Sequence, residues 1–263
     1  MRRVVRCDCW RQNLAGKLVA EAQVPPRYRR CDIENFRTDT DSHREAVAKA
    51  RRFIDRFPVV EKGLFLLGHP GVGKTHLAVA VLKLVIQRTG ARGLFYDTRE
   101  LLRLIRSTYN PLVHTAEMDV LSPVMQADLL VLDDLGAEKT SEWVEETLNL
   151  IVNTRYNERR ATLFTSNYEI KEDITDPDSL SVRVGFRMWS RLHEMCEFVT
   201  LGGPDYRVAG PDATPEELAR LEKQGRPLAT RSLPSRTKGQ ARAQLRDRDG
   251  RTDLKWSGGK AGR

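Results

Sequence analysis

The chain has 263 residues, of which 40% are hydrophobic and 30% are charged, so it is long enough to bury the core of one or two domains. Its net charge of +8 is concentrated in residues 211–263, where 13 Lys and Arg stand against 7 Asp and Glu. No apolar run approaches the roughly 20 residues that span a bilayer, and the basic start lacks the apolar segment of a secretory signal. This composition excludes a transmembrane protein, and we expect a cytoplasmic one.

The first 40 residues contain one fragment of a metal motif, the C-x-C of Cys7 and Cys9. A structural zinc site needs four ligands, and no second closely spaced pair of cysteines accompanies this one. We therefore expect reduced thiols rather than bound zinc. A helix is predicted over 41–57, because apolar residues recur there at helical spacing and Pro58 follows its end.

Residues 68–75 read GHPGVGKT and directly follow an apolar strand predicted at 64–67. This is the pattern G-x-x-x-x-G-K-[ST] in the context that its chemistry needs, between a buried strand and a helix predicted over 74–89. The glycines let backbone N–H groups face the phosphates, Lys74 adds a positive charge, and the Thr75 hydroxyl can ligate Mg²⁺. The pattern therefore predicts a nucleoside triphosphate site.

The central part of the chain continues the alternation of strands and helices. A strand is predicted at 93–97, a helix at 98–107, and a loop or broken helix from 107 to 123, where Asn110-Pro111 and Ser122-Pro123 interrupt the chain. The strand at 129–132 is a continuous apolar run, which is typical of a parallel sheet buried on both faces. A helix at 141–159 and a strand at 162–165 follow.

Polar residues follow two of these strands where ligands collect in open α/β sheets. Asp133 and Asp134 end the strand at 129–132, and we assign Asp133 to the Mg²⁺ shell and Asp134 to the attacking water. Asn167 follows the strand at 162–165 and could hold that water or contact the γ-phosphate. Turn or capping chemistry is the alternative for all three residues.

Arg183, Arg187 and Arg191 recur every four residues in a helix predicted over 179–195, so we expect them along one side of it. They form either a solvated charged face or a surface from which one arginine reaches the γ-phosphate of a neighbouring subunit. A last strand is predicted at 198–201. Arg207 comes just after it and could contact the same phosphate within its own subunit.

Strands that alternate with helices over 64–201 predict a parallel α/β sheet with crossover helices. We divide the chain into a short N-terminal segment at 1–40, an ATPase domain at 41–210, and a C-terminal region at 211–263. That last region begins with a short helix between Thr214 and Gly225 and continues as a basic tail, which is predicted to be disordered. A cationic tail suits nucleic acid, or it has no partner at all.

Taken together, these residues resemble the AAA+ ATPases of the bacterial helicase-loader group, the DnaC/DnaI type, and the related IstB-type ATPases of insertion-sequence transposition. The resemblance covers about 24–207 and rests on the ordered stretches VPPRYRRCDIENF (24–36), GHPGVGKTH (68–76), LLVLDDLGAEK (129–139), LFTSNY (163–168), SRLHEMCEF and GGPDYR. The stretch VPPRYRR and the C-x-C upstream of it resemble the loader type more than the IstB type.

The resemblance implies a P-loop AAA+ core, with a parallel five-stranded sheet of order 5-1-4-3-2, helices on both faces and no helical lid. It implies ATP contacts from the loop and the start of its helix, namely Gly68, Pro70, Gly71, Val72, Gly73, Lys74, Thr75 and His76. Thr75 and Asp133 would hold Mg²⁺, Asp134 and Asn167 would act on the attacking water, Arg191 would act on a neighbouring subunit, and Arg207 would act in its own.

The resemblance also implies partners: single-stranded DNA, a replicative helicase, and other copies of the chain in an ATP-dependent assembly. The DNA would meet the region after the second strand, about 98–123. Our candidates there are cations for phosphates and one aromatic ring for base stacking, namely Arg99, Arg103, Arg106 and Tyr109.

The leading hypothesis is an ATP-hydrolysing loader of the replicative helicase. An IstB-like regulator of transposition is the second, although the N-terminal helical domain expected of that type is missing. A small-molecule P-loop kinase would need an acceptor lid that we do not find. A nucleotide-dependent DNA-binding switch that does not hydrolyse ATP is the remaining alternative, because Asp134 stands where many AAA+ proteins have glutamate.

Overall fold

One parallel five-stranded sheet forms the centre of the protein in this computed structural model, which describes residues 8–110, 112, 115–138, 141–171, 173, 176–210 and 213–224. The strands are β1 (Gly63–Leu67), β2 (Gly93–Asp97), β3 (Leu129–Asp133), β4 (Ala161–Ser166) and β5 (Cys196–Thr200). Their spatial order is β2-β3-β4-β1-β5, which is the expected order 5-1-4-3-2 read from the other edge.

Helices precede, connect and follow the strands. They are α1 (Asp8–Glu21), α2 (Asp41–Arg56), α3 (Lys74–Thr89), α4 (Thr98–Ser107), α5 (Glu117–Gln126), α6 (Glu142–Asn157), α7 (Leu180–Val184), α8 (Phe186–Met195), α9 (Tyr206–Ala209) and α10 (Pro215–Gln224). A 3₁₀ turn, Pro26–Tyr28, lies between α1 and α2. In the described parts of the chain, none of the helices combines the length and the apolar character needed to cross a bilayer.

Each face of the sheet buries its own apolar cluster. Side chains of α2 and α3 pack on one face with Leu64 and Leu66, while side chains of α4 to α8 pack on the other with Phe65 and Leu67. Successive strand residues point to opposite faces, so β1 is buried along its whole length. The predicted two-sided parallel sheet is confirmed.

The strand register brings the functional strands to a common edge. Leu67 at the end of β1 pairs with Ser166 at the end of β4, and Asp97 at the end of β2 pairs with Asp133 at the end of β3. Since parallel strands finish on the same side of a sheet, the phosphate-binding loop, the two aspartates and Asn167 all emerge there.

The N-terminal segment contains a helix that the sequence analysis did not predict. Helix α1 ends beside the sheet, where the Phe95 N–H donates to the Ala22 carbonyl at 2.8 Å. After it, Ala22, Val24, Ile33 and Phe36 are buried in the same cluster as α2 and α3. Residues 18–36 are therefore packed against the sheet and its helices, while our division of the chain into three parts stays a prediction.

The single helix predicted over 179–195 is wrong, because the chain forms α7 and α8 with Gly185 between them. Gly185 has φ 81 and ψ 145, a conformation that is almost restricted to glycine and interrupts the helix. The expected row of three arginines on one side is therefore interrupted as well.

Two smaller boundaries also differ from the prediction. Helix α5 runs through Pro123, where a break was expected, and it buries Val120, Leu121 and Val124 against the sheet. Strand β5 begins at Cys196, two residues earlier than predicted. The basic tail predicted to be disordered lies outside the described residues, as do Cys7 and the side chain of Cys9.

Candidate functional site

The loop between β1 and α3 wraps back against the segment that follows β5. The Tyr206 N–H donates to the Gly71 carbonyl at 3.2 Å, and the Asp205 carboxylate lies close to the Gly71 Cα. A Cβ on Gly71 would come within 1.8 Å of Asp205 Oδ1, and its φ of +84 is also one that favours glycine. The backbone conformation therefore favours glycine at position 71, and any larger residue would also require the Asp205 carboxylate to move.

Lys74 is a buried cation whose hydrogen-bond partners are neutral. Its Nζ donates to the carbonyls of Gly68 and His69 and to Asn167 Oδ1, each at 2.7 Å. Burial lowers the pKa of this lysine to about 8, although the charges of Asp133 and Asp134 act in the opposite direction. An anion placed beside the ammonium group would stabilise its charged form, so this site fits a phosphate.

Asp133 forms a compact oxygen cluster with two threonines. Thr75 Oγ1 donates to Asp133 Oδ1 at 2.9 Å, and Thr165 Oγ1 donates to the same oxygen at 2.7 Å. Burial raises the pKa of this carboxyl group, while the two hydroxyl donors lower it. A hydroxyl and a carboxylate are oxygen ligands of the type that Mg²⁺ prefers, so Thr75 and Asp133 could hold that ion.

Asp134 has an unusual backbone and a fully engaged carboxylate. Its φ is 59, and its N–H is held by Thr165 Oγ1 at 2.9 Å. One carboxylate oxygen accepts from Asn167 Nδ2, and the other accepts from Arg99 Nη2 at 3.3 Å. Asn167 therefore links Lys74 to Asp134, and the structure brings together all three side chains that were predicted from separate motifs.

These groups line one cleft of about 500 Å³. The residues predicted for the nucleotide site that line it are Pro70, Gly71, Gly73, Lys74, Thr75, His76, Asp133, Asp134, Asn167 and Arg207. Gly68 and Val72 belong to the loop but do not line the cleft. His76 is tied through Nε2 to the Asp32 carbonyl at 3.0 Å and to Asn35 Oδ1 at 2.8 Å.

The sequence analysis missed six further residues of the cleft wall. Arg27, Tyr28 and Cys31 come from the segment around the 3₁₀ turn, Asp97 and Thr165 come from β2 and β4, and Tyr206 comes from α9. The first three lie within VPPRYRRCDIENF, a stretch on which the family resemblance rests. That resemblance was the only indication in the sequence that these residues could belong to the site. Their approach to a loop about 40 residues away is a tertiary contact, which spacing along the chain does not reveal.

The three candidate finger arginines have different surroundings. Arg183 is used inside its own subunit, because it donates to the carbonyls of Gly136 and Glu138 and lies 4.2 Å from the Tyr168 ring. Arg187 is exposed on α8, and Arg191 is partly exposed there. Neither lines the cleft of its own subunit.

The four candidate DNA residues separate into two groups. Arg99 lines the nucleotide cleft and pairs with Asp134, whereas Arg103 is exposed along α4. Arg106 lies 4.4 Å from the ring of Trp143 on α6, and Tyr109 meets the same ring edge-on with centroids 6.3 Å apart. Trp143 Nε1 also donates to the Tyr109 hydroxyl at 3.2 Å.

We call Arg103, Arg106, Tyr109 and Trp143 the α4–α6 surface. It combines two cations with two aromatic rings, and Trp143 is a member that the sequence analysis missed because it lies on another helix. Exposed apolar side chains are found in the same segment, with Leu112 85% and Met118 56% exposed. Neighbouring aromatic and cationic side chains of this kind suit the bases and phosphates of a single strand.

Comparison with known proteins gives a consistent result. A family model described as IstB-like ATP binding protein matches residues 11–210. The replicative helicase loader DnaC of Escherichia coli (strain K12) is 27% identical over 165 residues, 62% of this chain and 66% of that protein. DnaC of Buchnera aphidicola subsp. Baizongia pistaciae is 26% identical over 185 residues, 69% of this chain and 72% of its own length.

Solved structures extend the comparison to the fold. A crystal structure of the DnaC helicase loader superposes with a TM-score of 0.61 and 33% identity, and it covers 68% of this chain and 100% of that one. A DnaI structure gives a TM-score of 0.58 at 24% identity over 68% of this chain and 95% of that one. The match to E. coli DnaC spans slightly less than two thirds of that relative.

Proposed function

Since this chain belongs to the family of IstB-like ATP-binding proteins and has a P-loop AAA+ core, we propose that it is an ATP-hydrolysing helicase loader. In this proposal it assembles on single-stranded DNA and loads the replicative helicase during DNA replication. One observation supports ATP binding and hydrolysis: five side chains lie together at one edge of the sheet. They are Lys74, Thr75, Asp133, Asp134 and Asn167.

The chemistry of hydrolysis would be divided among these side chains. The loop and Lys74 would hold the phosphates of ATP, while Thr75 and Asp133 would hold Mg²⁺, which neutralises charge that develops on the phosphoryl oxygens. Asp134 would accept a proton from the attacking water, and Asn167 would orient that water. Arg99 restrains one oxygen of Asp134, so its release would accompany the active arrangement.

Two further arginines, Arg207 and Arg191, would complete the site, one from the same subunit and one from a neighbour. Arg207 lies in the cleft wall and would contact the γ-phosphate within its own subunit. Arg191 does not line that cleft and would serve the nucleotide of a neighbouring subunit, which would make turnover depend on assembly. Arg187 is the exposed alternative for this role.

Single-stranded DNA would bind the α4–α6 surface, and its members can be tested against a matched control on the same helix. Arg106→Gln and Trp143→Ala should each weaken oligo-dT binding about 5- to 100-fold, since one stacked base contributes about 1–3 kcal/mol. Arg99→Gln removes a similar charge from α4 but should change ATP turnover more than DNA affinity, because Arg99 pairs with Asp134. Fluorescence anisotropy at fixed ionic strength measures DNA affinity, and release of inorganic phosphate measures ATP turnover.

Equal losses of DNA affinity in Arg99→Gln and Arg106→Gln, with none in Trp143→Ala, would contradict this assignment. Such a result would mean that DNA binds through the overall positive charge of α4 rather than through a surface that includes Trp143. The DNA-binding step would then have to be placed elsewhere on the chain.

An IstB-like regulator of transposition is the second candidate, because the matching family model is described as IstB-like ATP binding protein. A loader should bind its host's replicative helicase and prefer single-stranded DNA, whereas a transposition regulator should bind duplex DNA and a transposase. Co-purification of the full chain with each protein separates the two. A non-hydrolysing switch would keep nucleotide-dependent DNA binding but would have no measurable turnover.

A further inference from the structure

His43 is a fully buried imidazole in the first turn of α2, and none of the roles described above uses it. Its Nε2 lies 3.1 Å from the carbonyl of Val72, inside the phosphate-binding loop. A carbonyl can only accept a hydrogen bond, so Nε2 must carry the proton and donate it. One end of the ring is therefore attached to the loop that cradles phosphate.

The other end of the ring faces the segment that carries Arg207. His43 Nδ1 lies 3.5 Å from the Tyr206 hydroxyl, and the two rings pack with centroids 5.6 Å apart. The same hydroxyl donates to Asp39 Oδ2 at 2.9 Å. Tyr206 is the residue immediately before Arg207, so the position of this ring bears directly on the position of the arginine.

Helix α9 depends on such contacts because it has little packing of its own. It is four residues long and has no buried residue. The start of α2 also holds the chain just before it, where the Gly202 N–H donates to Ser42 Oγ at 3.0 Å. The first turn of α2 therefore contacts both the phosphate loop and the approach to Arg207.

We propose that His43 is a positioning residue that holds the phosphate-binding loop and the Arg207 helix in a fixed relative position. It acts through the Val72 carbonyl on one side and Tyr206 on the other, so that Arg207 meets the γ-phosphate of a bound triphosphate. A diphosphate lacks that group, so the affinity ratio of ATP over ADP reports the position of Arg207. This inference rests on the proposed role of Arg207.

The test measures the affinities of the full chain for ATP and ADP. Arg207→Ala should lower the ATP-to-ADP affinity ratio about tenfold, because it removes a charge-assisted hydrogen bond to phosphate. His43→Leu should lower the ratio to a similar extent, and the double variant should be no worse than either single one. His43→Gln should restore most of the ratio, since its side-chain amide can donate to the Val72 carbonyl.

Two further variants keep the result interpretable. Ile54→Val alters buried packing on the same helix without touching the loop, and it should leave the ratio unchanged. Tyr206→Phe keeps the ring but deletes the hydroxyl, and it should lower the ratio even if His43→Leu does not fold. Equal weakening of ATP and ADP binding in both His43→Leu and Tyr206→Phe would reduce His43 to a structural role and overturn the inference.

A different set of results would show that the proposed role of Arg207 is wrong. If Arg207→Ala itself leaves the ratio unchanged, Arg207 does not sense the γ-phosphate, and both that role and the inference fall. If Arg207→Ala lowers the ratio but neither His43→Leu nor Tyr206→Phe does, only the positioning role of His43 is overturned. Additive losses in the double variant would also contradict it, because the two residues would then act independently.

Discussion

At the scale of single residues, Lys74 shows how the site prepares for an anion. Its ammonium group is buried and donates hydrogen bonds to two backbone carbonyls and one side-chain amide oxygen. Burial disfavours the charged form more than the neighbouring aspartates favour it, so the pKa is about 8. The charge that would bind phosphate is therefore only marginally stable in the ligand-free protein.

This pKa predicts how ATP affinity depends on pH. Bound phosphates would raise the lysine pKa, so binding above pH 8 must take up a proton, and affinity must fall as pH rises. We expect the dissociation constant to rise less than about twofold from pH 7.5 to 8, and then with a slope that approaches about tenfold per pH unit by pH 9.5. Calorimetry in buffers of different ionisation enthalpy should detect the proton uptake.

Lys74→Met provides the control for this prediction, because it removes the titrating group while keeping an unbranched side chain. It should bind ATP weakly and without that slope. A wild-type affinity that stays flat to pH 9.5 would mean that Lys74 keeps its proton in the free protein.

The site residues that could be predicted from the sequence are those that belong to a short local motif. Lys74 and Thr75 follow from the glycine loop, and Asp133 follows from its place after a buried strand. Trp143 and His43 could not be found in this way. The contacts that give each its proposed role are with residues at least 29 positions away, and no local pattern marks those contacts.

At the scale of elements, a buried arginine on helix α6 forms hydrogen bonds with the end of α5 and the start of β4. Arg155 donates to the carbonyls of Val124, Ala127 and Ala161 and to Thr162 Oγ1, and it is fully buried. Burial lowers its pKa to about 9. This one side chain supplies hydrogen-bond donors to the end of α5, the turn after it and the start of β4.

Replacing Arg155 with Met should therefore lower the free energy of unfolding by about 3–5 kcal/mol, because several buried carbonyls lose their donor at once. Urea denaturation measures the change. Arg159→Met is the matched control, since Arg159 is exposed four residues further on, and it should change stability by less than about 0.5 kcal/mol. Similar losses in both variants would show that the hydrogen bonds of Arg155 contribute little.

Most elements could be predicted because their apolar periodicity is strong and their ends are marked by proline or glycine. The exceptions have physical causes. At 179–195 the helical spacing continues on both sides of Gly185, so the pattern conceals a break that the backbone makes there. In α5 the burial of Val120 and Val124 outweighs the effect of Pro123, and at α6 a charged residue that would be assigned to the surface is buried.

At the scale of the whole molecule, the sheet order explains why distant motifs meet. Strand β4 lies between β1 and β3, so Asn167 stands between the phosphate loop and the two aspartates. That convergence was predictable once the sheet was known to be parallel. The packing of residues 27–36 beside the cleft was not predictable, because it depends on tertiary contacts of Tyr28 and Phe36.

The central claim is that a complete catalytic site needs two subunits, one with an intact Lys74 and a neighbour with an intact Arg191. The most direct measurement is ATP turnover against protein concentration for wild type, Lys74→Ala, Arg191→Ala and an equal mixture of the two variants. We predict a steeper than linear rise for wild type, loss of activity in each single variant, and recovery to about a quarter of wild type on mixing, since random assembly completes one interface in four. Turnover that is linear in protein and unaffected by Arg191→Ala would contradict the account, because each subunit would then carry a complete site.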